Sequence, residues 1–98
     1  MHILVAEDDP IVADFLGMTL EEAGYFKTTA DSIESALVEL KHNQIDAVLL
    51  DLNLPDGDGT RLARLIRKNH MPVPILVFQE TVALMIRLPH LVLVPMDI

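Results

Sequence analysis

Two short apolar runs, each followed at once by acidic residues, most strongly constrain how this 98-residue chain folds. The first run, His2–Ala6, leads into Glu7-Asp8-Asp9, and the second, residues 45–50, leads into Asp51. Continuous apolar runs of this length are typical of strands buried on both faces, as in a parallel sheet. The carboxyl ends of parallel strands lie at one edge of the sheet, so we expect the two acidic groups to converge there.

Crowded carboxylates repel one another, and each resists ionisation beside another negative charge. An oxygen-seeking divalent cation such as Mg²⁺ would relieve that repulsion, with Glu7, Asp8 and Asp51 as its ligands. A carboxylate can also act as a nucleophile toward phosphorus when the charge on the phosphoryl oxygens is neutralised. Because Asp51 ends a central strand and opens a glycine-rich loop, it is our candidate nucleophile, and we expect it to be open to a donor.

Simpler interpretations of the same acids remain open. Glu7, Asp8 and Asp9 are also suited to the start of a helix at Pro10, where negative charge is favoured. Asp51 alone could be an ordinary turn residue. A calcium-binding EF-hand is excluded for the loop that begins at Asp51. Pro55 and Asp56 occupy the positions that require an acid and a glycine, and no glutamate stands at the twelfth position.

The rest of the chain alternates between helical and strand-like patterns. We predict a helix from Pro10 to a stop at Gly24, a short strand over residues 25–29, and a helix capped by Asp31 or Ser32. Beyond the strand at 45–50, a helix opens at Thr60 and a strand covers Ile75–Phe78. The pattern then weakens, with a short helix at 82–88 and a strand at 91–94. This order is typical of right-handed crossovers on a parallel sheet.

Composition narrows the classes of function. The formal net charge of −8 disfavours direct binding to nucleic acid or to an anionic membrane surface. With no cysteine, disulfides and thiolate metal sites are absent. The most apolar stretch, residues 81–98, is too short and interrupted to span a bilayer, and the N-terminus does not resemble a secretory signal. We therefore expect one cytoplasmic domain over residues 1–98.

Two segments, residues 3–10 and residues 46–59, together resemble the receiver domain of bacterial two-component response regulators. The resemblance implies a flavodoxin-like, doubly wound parallel sheet of strand order 2-1-3-4-5. It implies that Asp51 accepts a phosphoryl group from a histidine kinase or a histidine phosphotransfer protein, so that the chain is an acceptor and not an enzyme. It also implies that Glu7, Asp8, Asp51 and the backbone carbonyl of Asn53 serve Mg²⁺.

The C-terminal part departs from that family pattern. Gln79 stands where receivers carry a Thr or Ser that follows the phosphoryl group, and Val94 stands where they carry a Lys. The chain is also shortened and lacks the last helix, which leaves an apolar sheet face for a partner to cover. We therefore expect altered switching, and either a homodimer or a larger parent assembly.

The sequence also leaves two other functions to consider beside the phosphoacceptor. One is a degenerate receiver that serves as a protein-interaction or dimerisation module without phosphorylation, and the substitutions at Gln79 and Val94 favour it. The other is a phosphatase-type hydrolase, which is disfavoured because the sequence offers no obvious acid for a leaving group.

Overall fold

The computed structural model of the chain describes residues 1–78 and the backbone of residues 92–94. Strands and helices alternate along the described residues, with a small hairpin inserted before the third helix. In chain order the elements are β1 (His2–Ala6), α1 (Pro10–Glu22), β2 (Phe26–Ala30), α2 (Ile33–His42), β3 (Ala47–Asp51), β4 (Asn53–Leu54), β5 (Gly57–Asp58), α3 (Gly59–Lys68), β6 (Ile75–Phe78) and β7 (Val92–Val94). None of the helices in these ranges is long and apolar enough to cross a membrane.

The main sheet has five strands in the order β2-β1-β3-β6-β7, which confirms the predicted order. Strands β2, β1, β3 and β6 run parallel to one another. In the register of these strands, Ala6 of β1 lies between Ala30 of β2 and Leu50 of β3. The carboxyl ends of the central strands are therefore level with one another, and the residues that follow them emerge at one edge.

The edge strand β7 differs from the expected parallel arrangement in its direction. It occupies the place of the predicted fifth strand but runs antiparallel to β6, with Leu93 opposite Leu76. A parallel neighbour requires a crossover of a dozen or more residues, usually containing a helix, whereas an antiparallel neighbour requires none. Only residues 79–91 separate the two strands, which is close to that minimum.

Helices cover both faces of the sheet, as expected for a doubly wound fold. On one face, α2 and α3 contribute Ala36, Leu62 and Ile66 to a core that includes Leu4 and Leu50 of the sheet. On the other face, α1 packs through Val12 and Leu16 against Val5 and Phe78. Each buried Val, Leu, Ile or Phe side chain among them contributes about 1.5–3 kcal/mol by its burial. The fold thus rests on alternating strand residues that point to opposite helical layers.

Short polar contacts fix where the helices begin. The Asp9 carboxylate accepts a hydrogen bond from the Ile11 amide at 2.9 Å, with Pro10 in the first turn, as predicted. Ser32 caps α2 in a reciprocal arrangement with Ser35, which decides between the two predicted caps. Helix α3 begins at Gly59, one residue earlier than predicted, because the side chain of Asp58 caps it.

The end of α3 is tied to the chain that leads into β6. The guanidinium of Arg67 is buried, and its Nη1 donates to the backbone oxygens of Met71 at 2.9 Å and Val73 at 2.7 Å. A buried charge is tolerated only when its donors are satisfied in this way. These contacts hold the α3–β6 connection against the helix.

One prediction concerns the C-terminal part. The short helix at 82–88 lies outside the described residues. The hairpin of β4 and β5 was not predicted, because two-residue strands leave no periodic signal.

Candidate functional site

The register of the sheet brings the two acidic segments together. Because Ala6 pairs with Leu50, the residues that follow them, Glu7 and Asp51, emerge side by side at the end of the sheet. One carboxylate oxygen from each of Glu7, Asp8 and Asp51 can be chosen so that all three lie within 4.8 Å of one another. The predicted convergence of separate acidic segments is therefore present in the structure.

The three consecutive acids after β1 have different surroundings. The Glu7 side chain is buried, and its Oε1 accepts a hydrogen bond from the Asp9 amide at 3.1 Å. Asp8 is exposed, whereas Asp9 caps α1. The helix-cap interpretation is therefore correct for Asp9, whereas Glu7 and Asp8 lie in the acidic cluster with Asp51.

Asp51 is completely buried, with 0% of its surface exposed. Its Oδ1 accepts a hydrogen bond from the Asn53 amide at 3.2 Å. Its Oδ2 is buried and accepts no hydrogen bond in the part of the chain that the structure describes. The expectation that this side chain is open to a donor is wrong, because Asp51 ends a central strand and has no exposed surface there.

The donor set fits a hard divalent cation. A buried carboxylate oxygen without a hydrogen-bond donor is costly, and neighbouring negative charge increases that cost. Mg²⁺ takes oxygen ligands and commonly uses one or two carboxylates. Glu7 and Asp51 supply buried oxygens, and the exposed Asp8 supplies one that faces solvent. The site therefore has the chemistry that a magnesium ion requires.

A close backbone contact shapes the loop that leaves Asp51. The Gly59 amide donates to the Leu52 oxygen at 2.8 Å, which closes the loop around the β4–β5 hairpin. A Cβ atom at Gly59 would overlap the carbonyl oxygen of Asp51, so no other residue fits without moving the end of β3. The glycines of this loop were noticed in the sequence, but the contact that requires Gly59 was not foreseen.

Two further acids in this loop bind helix N-termini. Asp56 accepts hydrogen bonds from the amides of Ile33 and Glu34 in α2, and Asp58 accepts one from the amide of Thr60 in α3. The Ile33 amide lowers the pKa of Asp56, and the Thr60 amide lowers the pKa of Asp58. Both acids appeared in the sequence only as turn residues. Asp56 caps a helix 23 residues away, which leaves no local pattern, whereas Asp58 directly precedes the helix that it caps.

The remaining predicted site residues lie near or beyond this loop. Asn53 begins β4 with an exposed side chain, and its backbone pairs with Asp58. Gln79 lies outside the described residues. Val94 lies in β7, where its backbone is opposite Ile75. A cleft of about 490 Å³, whose lining includes Glu7, Asp8, Asp14 and Asp31, opens beside the acidic cluster.

Comparison with known proteins identifies the family to which this fold and acidic site belong. The family model described as the response regulator receiver domain matches residues 3–88. The chain belongs to that family. It is thus a receiver domain of the kind found in two-component signalling, a class that implies a phosphoacceptor role.

Among its relatives is the sensor histidine kinase RcsC of Escherichia coli K12, which is 41% identical over 76 residues, or 78% of this chain and 8% of RcsC. The transcriptional regulatory protein PhoP of the same strain is 35% identical over 77 residues, or 79% of this chain and 34% of PhoP. The chain thus spans about a third or less of these relatives. The response regulator TrrA of Thermotoga maritima, crystallised in complex with Mg²⁺-BeF, is 31% identical with a TM-score of 0.77, over 89% of this chain and 76% of TrrA.

Proposed function

We propose that this domain accepts a phosphoryl group on Asp51, in the presence of Mg²⁺, within a cytoplasmic His-Asp phosphorelay. The observation that carries the proposal is the convergence of Glu7, Asp8 and Asp51 within 4.8 Å at the edge of a receiver fold. The donor is the phosphohistidine of a histidine kinase or phosphotransfer protein. The domain is an acceptor that is modified, and not an enzyme that acts on a separate substrate.

The transfer step follows from the hydrogen bonds of Asp51. Its Oδ1 is held by the Asn53 amide, so Oδ2 is the oxygen that attacks phosphorus. The new O–P bond forms as the P–N bond to the donor histidine breaks, and the electron pair of that bond returns to the imidazole nitrogen. When bound, Mg²⁺ neutralises charge on the phosphoryl oxygens. Glu7, Asp8, Asp51 and the Asn53 carbonyl are the proposed ligands.

Access to the acceptor requires a movement. Because Asp51 has no exposed surface, a donor reaches Oδ2 only after the groups above it shift. Proteins commonly open loops of this kind on the microsecond to second timescale. We therefore expect the rate of phosphorylation to be limited partly by uncovering of the site.

Switching after phosphorylation is proposed to be altered. Gln79 offers an amide where receivers use a hydroxyl, and Val94 offers no charge where they use a Lys. An ammonium group pairs with an anionic phosphoryl group, and a Val side chain cannot. We also expect the chain to form a homodimer, and light scattering across a range of concentrations tests this, since a constant monomer mass would contradict it.

The test of the main proposal is incubation with Mg²⁺ and acetyl phosphate, followed by intact mass. The expected result is a gain of one phosphoryl group on the wild type and none on Asp51→Asn. The matched control is Asp46→Asn, which removes an exposed carboxylate at the opposite end of β3 and should still be modified. Labelling of all three proteins, or of none, would contradict the proposal.

A second candidate function is favoured by the burial of Asp51. A receiver whose acceptor stays covered would serve as a protein-interaction module without phosphorylation. In that case the wild type gains no phosphoryl group, and Mg²⁺ leaves its melting temperature unchanged. The first candidate requires both effects, so the same two measurements separate the candidates.

A further inference from the structure

Asp56 connects the loop of the acidic site to a different helix. It lies in the turn between β4 and β5, and its Oδ1 accepts a hydrogen bond from the Ile33 amide at 2.8 Å. Its Oδ2 accepts a second from the Glu34 amide at 3.1 Å. These are the first two amides of α2, which have no partner inside the helix. Ser32 accepts from the next amide, that of Ser35, so the two caps divide the helix end between them.

The turn that carries Asp56 is held against α2 by packing as well. Leu54 is buried in the same core as Ile33. Gly57, with φ of +150°, lies so near that a Cβ on it would be 3.1 Å from Ile33 Cδ1. On the other side, Nη1 of Arg61 in α3 donates a hydrogen bond to the backbone carbonyl oxygen of Asp56 at 3.4 Å. The turn is therefore fixed between α2 and α3.

The same turn continues directly into the candidate metal site. Asn53 is paired through its backbone with Asp58 across the hairpin, and its amide holds Asp51 Oδ1. A shift of the hairpin relative to α2 therefore moves the Asn53 backbone and the hydrogen bond that orients Asp51. No other described side chain forms hydrogen bonds between this loop and α2.

We infer that Asp56 is a positioning residue, whose carboxylate bridge to the N-terminus of α2 holds Asn53 and Asp51 in the geometry that binds a divalent cation. This inference rests on the proposed function. It also makes α2 responsive to the site, because coupling between two equilibria is reciprocal. If the Asp56 bridge favours cation binding, then the bound cation strengthens the bridge by the same factor.

The first test measures Mg²⁺ binding by calorimetry in the full chain. Asp56→Ala should weaken binding roughly fivefold or more relative to Asp58→Ala, a factor typical of coupled sites. Asp58→Ala is the matched control, because it removes the same charge from the same loop but breaks only the cap of the adjoining helix α3. Asp56→Asn keeps one acceptor oxygen, so its Mg²⁺ affinity should lie between those of Asp56→Ala and Asp58→Ala.

The second test uses the wild type alone, so it does not depend on the folding of a variant. Saturating Mg²⁺ should slow hydrogen exchange of the Ile33 and Glu34 amides, the two donors to Asp56. Equal Mg²⁺ affinity in Asp56→Ala and Asp58→Ala, or exchange of these amides that Mg²⁺ does not change, would overturn the inference and leave the proposed function standing. A wild type that binds no Mg²⁺ would overturn both.

Discussion

Replacing Asp51 by Asn is expected to stabilise the protein when no metal is bound. Asp51 and Glu7 are both buried, and the nearest pair of their carboxylate oxygens lies within 4.8 Å. Two unit charges at that distance repel by about 3.5 kcal/mol at an effective dielectric constant of about 20. The variant retains an oxygen for the Asn53 amide while it removes the charge.

The net gain should be smaller than the full repulsion. In the wild type, amide donors at Asp9 and Asn53 already offset part of the negative charge. We therefore expect Asp51→Asn to gain about 2 kcal/mol, which corresponds to a rise of roughly 8–16 °C in melting temperature for a domain of this size. Mg²⁺ should stabilise the wild type, by about 2.7 kcal/mol when its concentration is a hundred times the Kd.

The assay is thermal unfolding followed by circular dichroism, in EDTA and in Mg²⁺. Asp14→Asn, which removes an exposed carboxylate from α1, controls for the smaller net charge and should melt close to the wild type in EDTA. The reasoning is refuted if Asp51→Asn melts below the wild type in EDTA. It is also refuted if Mg²⁺ raises the melting temperatures of Asp51→Asn and the wild type equally.

Three further predictions concern the contacts around this site. Gly59→Ala should lose about 2–3 kcal/mol of stability in urea unfolding, because the added methyl group overlaps the backbone at the end of β3. The control, Gly17→Ala, meets only a flexible side chain and should change stability by less than about 1 kcal/mol. Equal urea midpoints for the two variants would contradict the contact at Gly59. Ser32→Ala should lose about 1 kcal/mol in thermal unfolding because the α2 cap is removed, and Ser32→Thr should retain most of it; no loss in the Ala variant would argue against the cap. The pKa values of Asp56 and Asp58 are lowered in the folded protein. Their contribution to the stability of the fold is therefore complete above the unfolded pKa of about 3.9, and it is lost as the pH falls through the lower folded pKa values. Urea midpoints below about pH 4 should therefore fall less steeply in the double Asn variant than in the wild type, and parallel curves would count against these hydrogen bonds.

Periodicity and strand ends were sufficient to predict most of the fold. Apolar runs predict β1, β3 and β6, and the parallel order of these strands predicts that Glu7 lies beside Asp51. These features are local, or follow from a rule about parallel strands that admits few alternatives. The cap at Asp9, and a cap at Asp31 or Ser32, could be predicted for the same reason, since a cap of this kind lies next to the helix that it starts; the structure shows that Ser32 is the second cap.

Features set by contacts between distant segments were not predictable. The complete burial of Asp51 and the antiparallel direction of β7 both arise from tertiary packing. The Asp56 cap joins residues 23 positions apart, and the contact of Gly59 with Asp51 is between backbone atoms. None of these alters the hydropathy pattern from which the elements were inferred.

Contacts at both ends hold helix α3 in place. Gly59, its first residue, lies against the backbone at the end of β3, and Arg67 in its last turn donates hydrogen bonds to the backbone that leads into β6. The helix is about 15 Å long. Because both of its ends are held by backbone contacts, we expect a displacement at the end of β3 to be transmitted to the connection that enters β6.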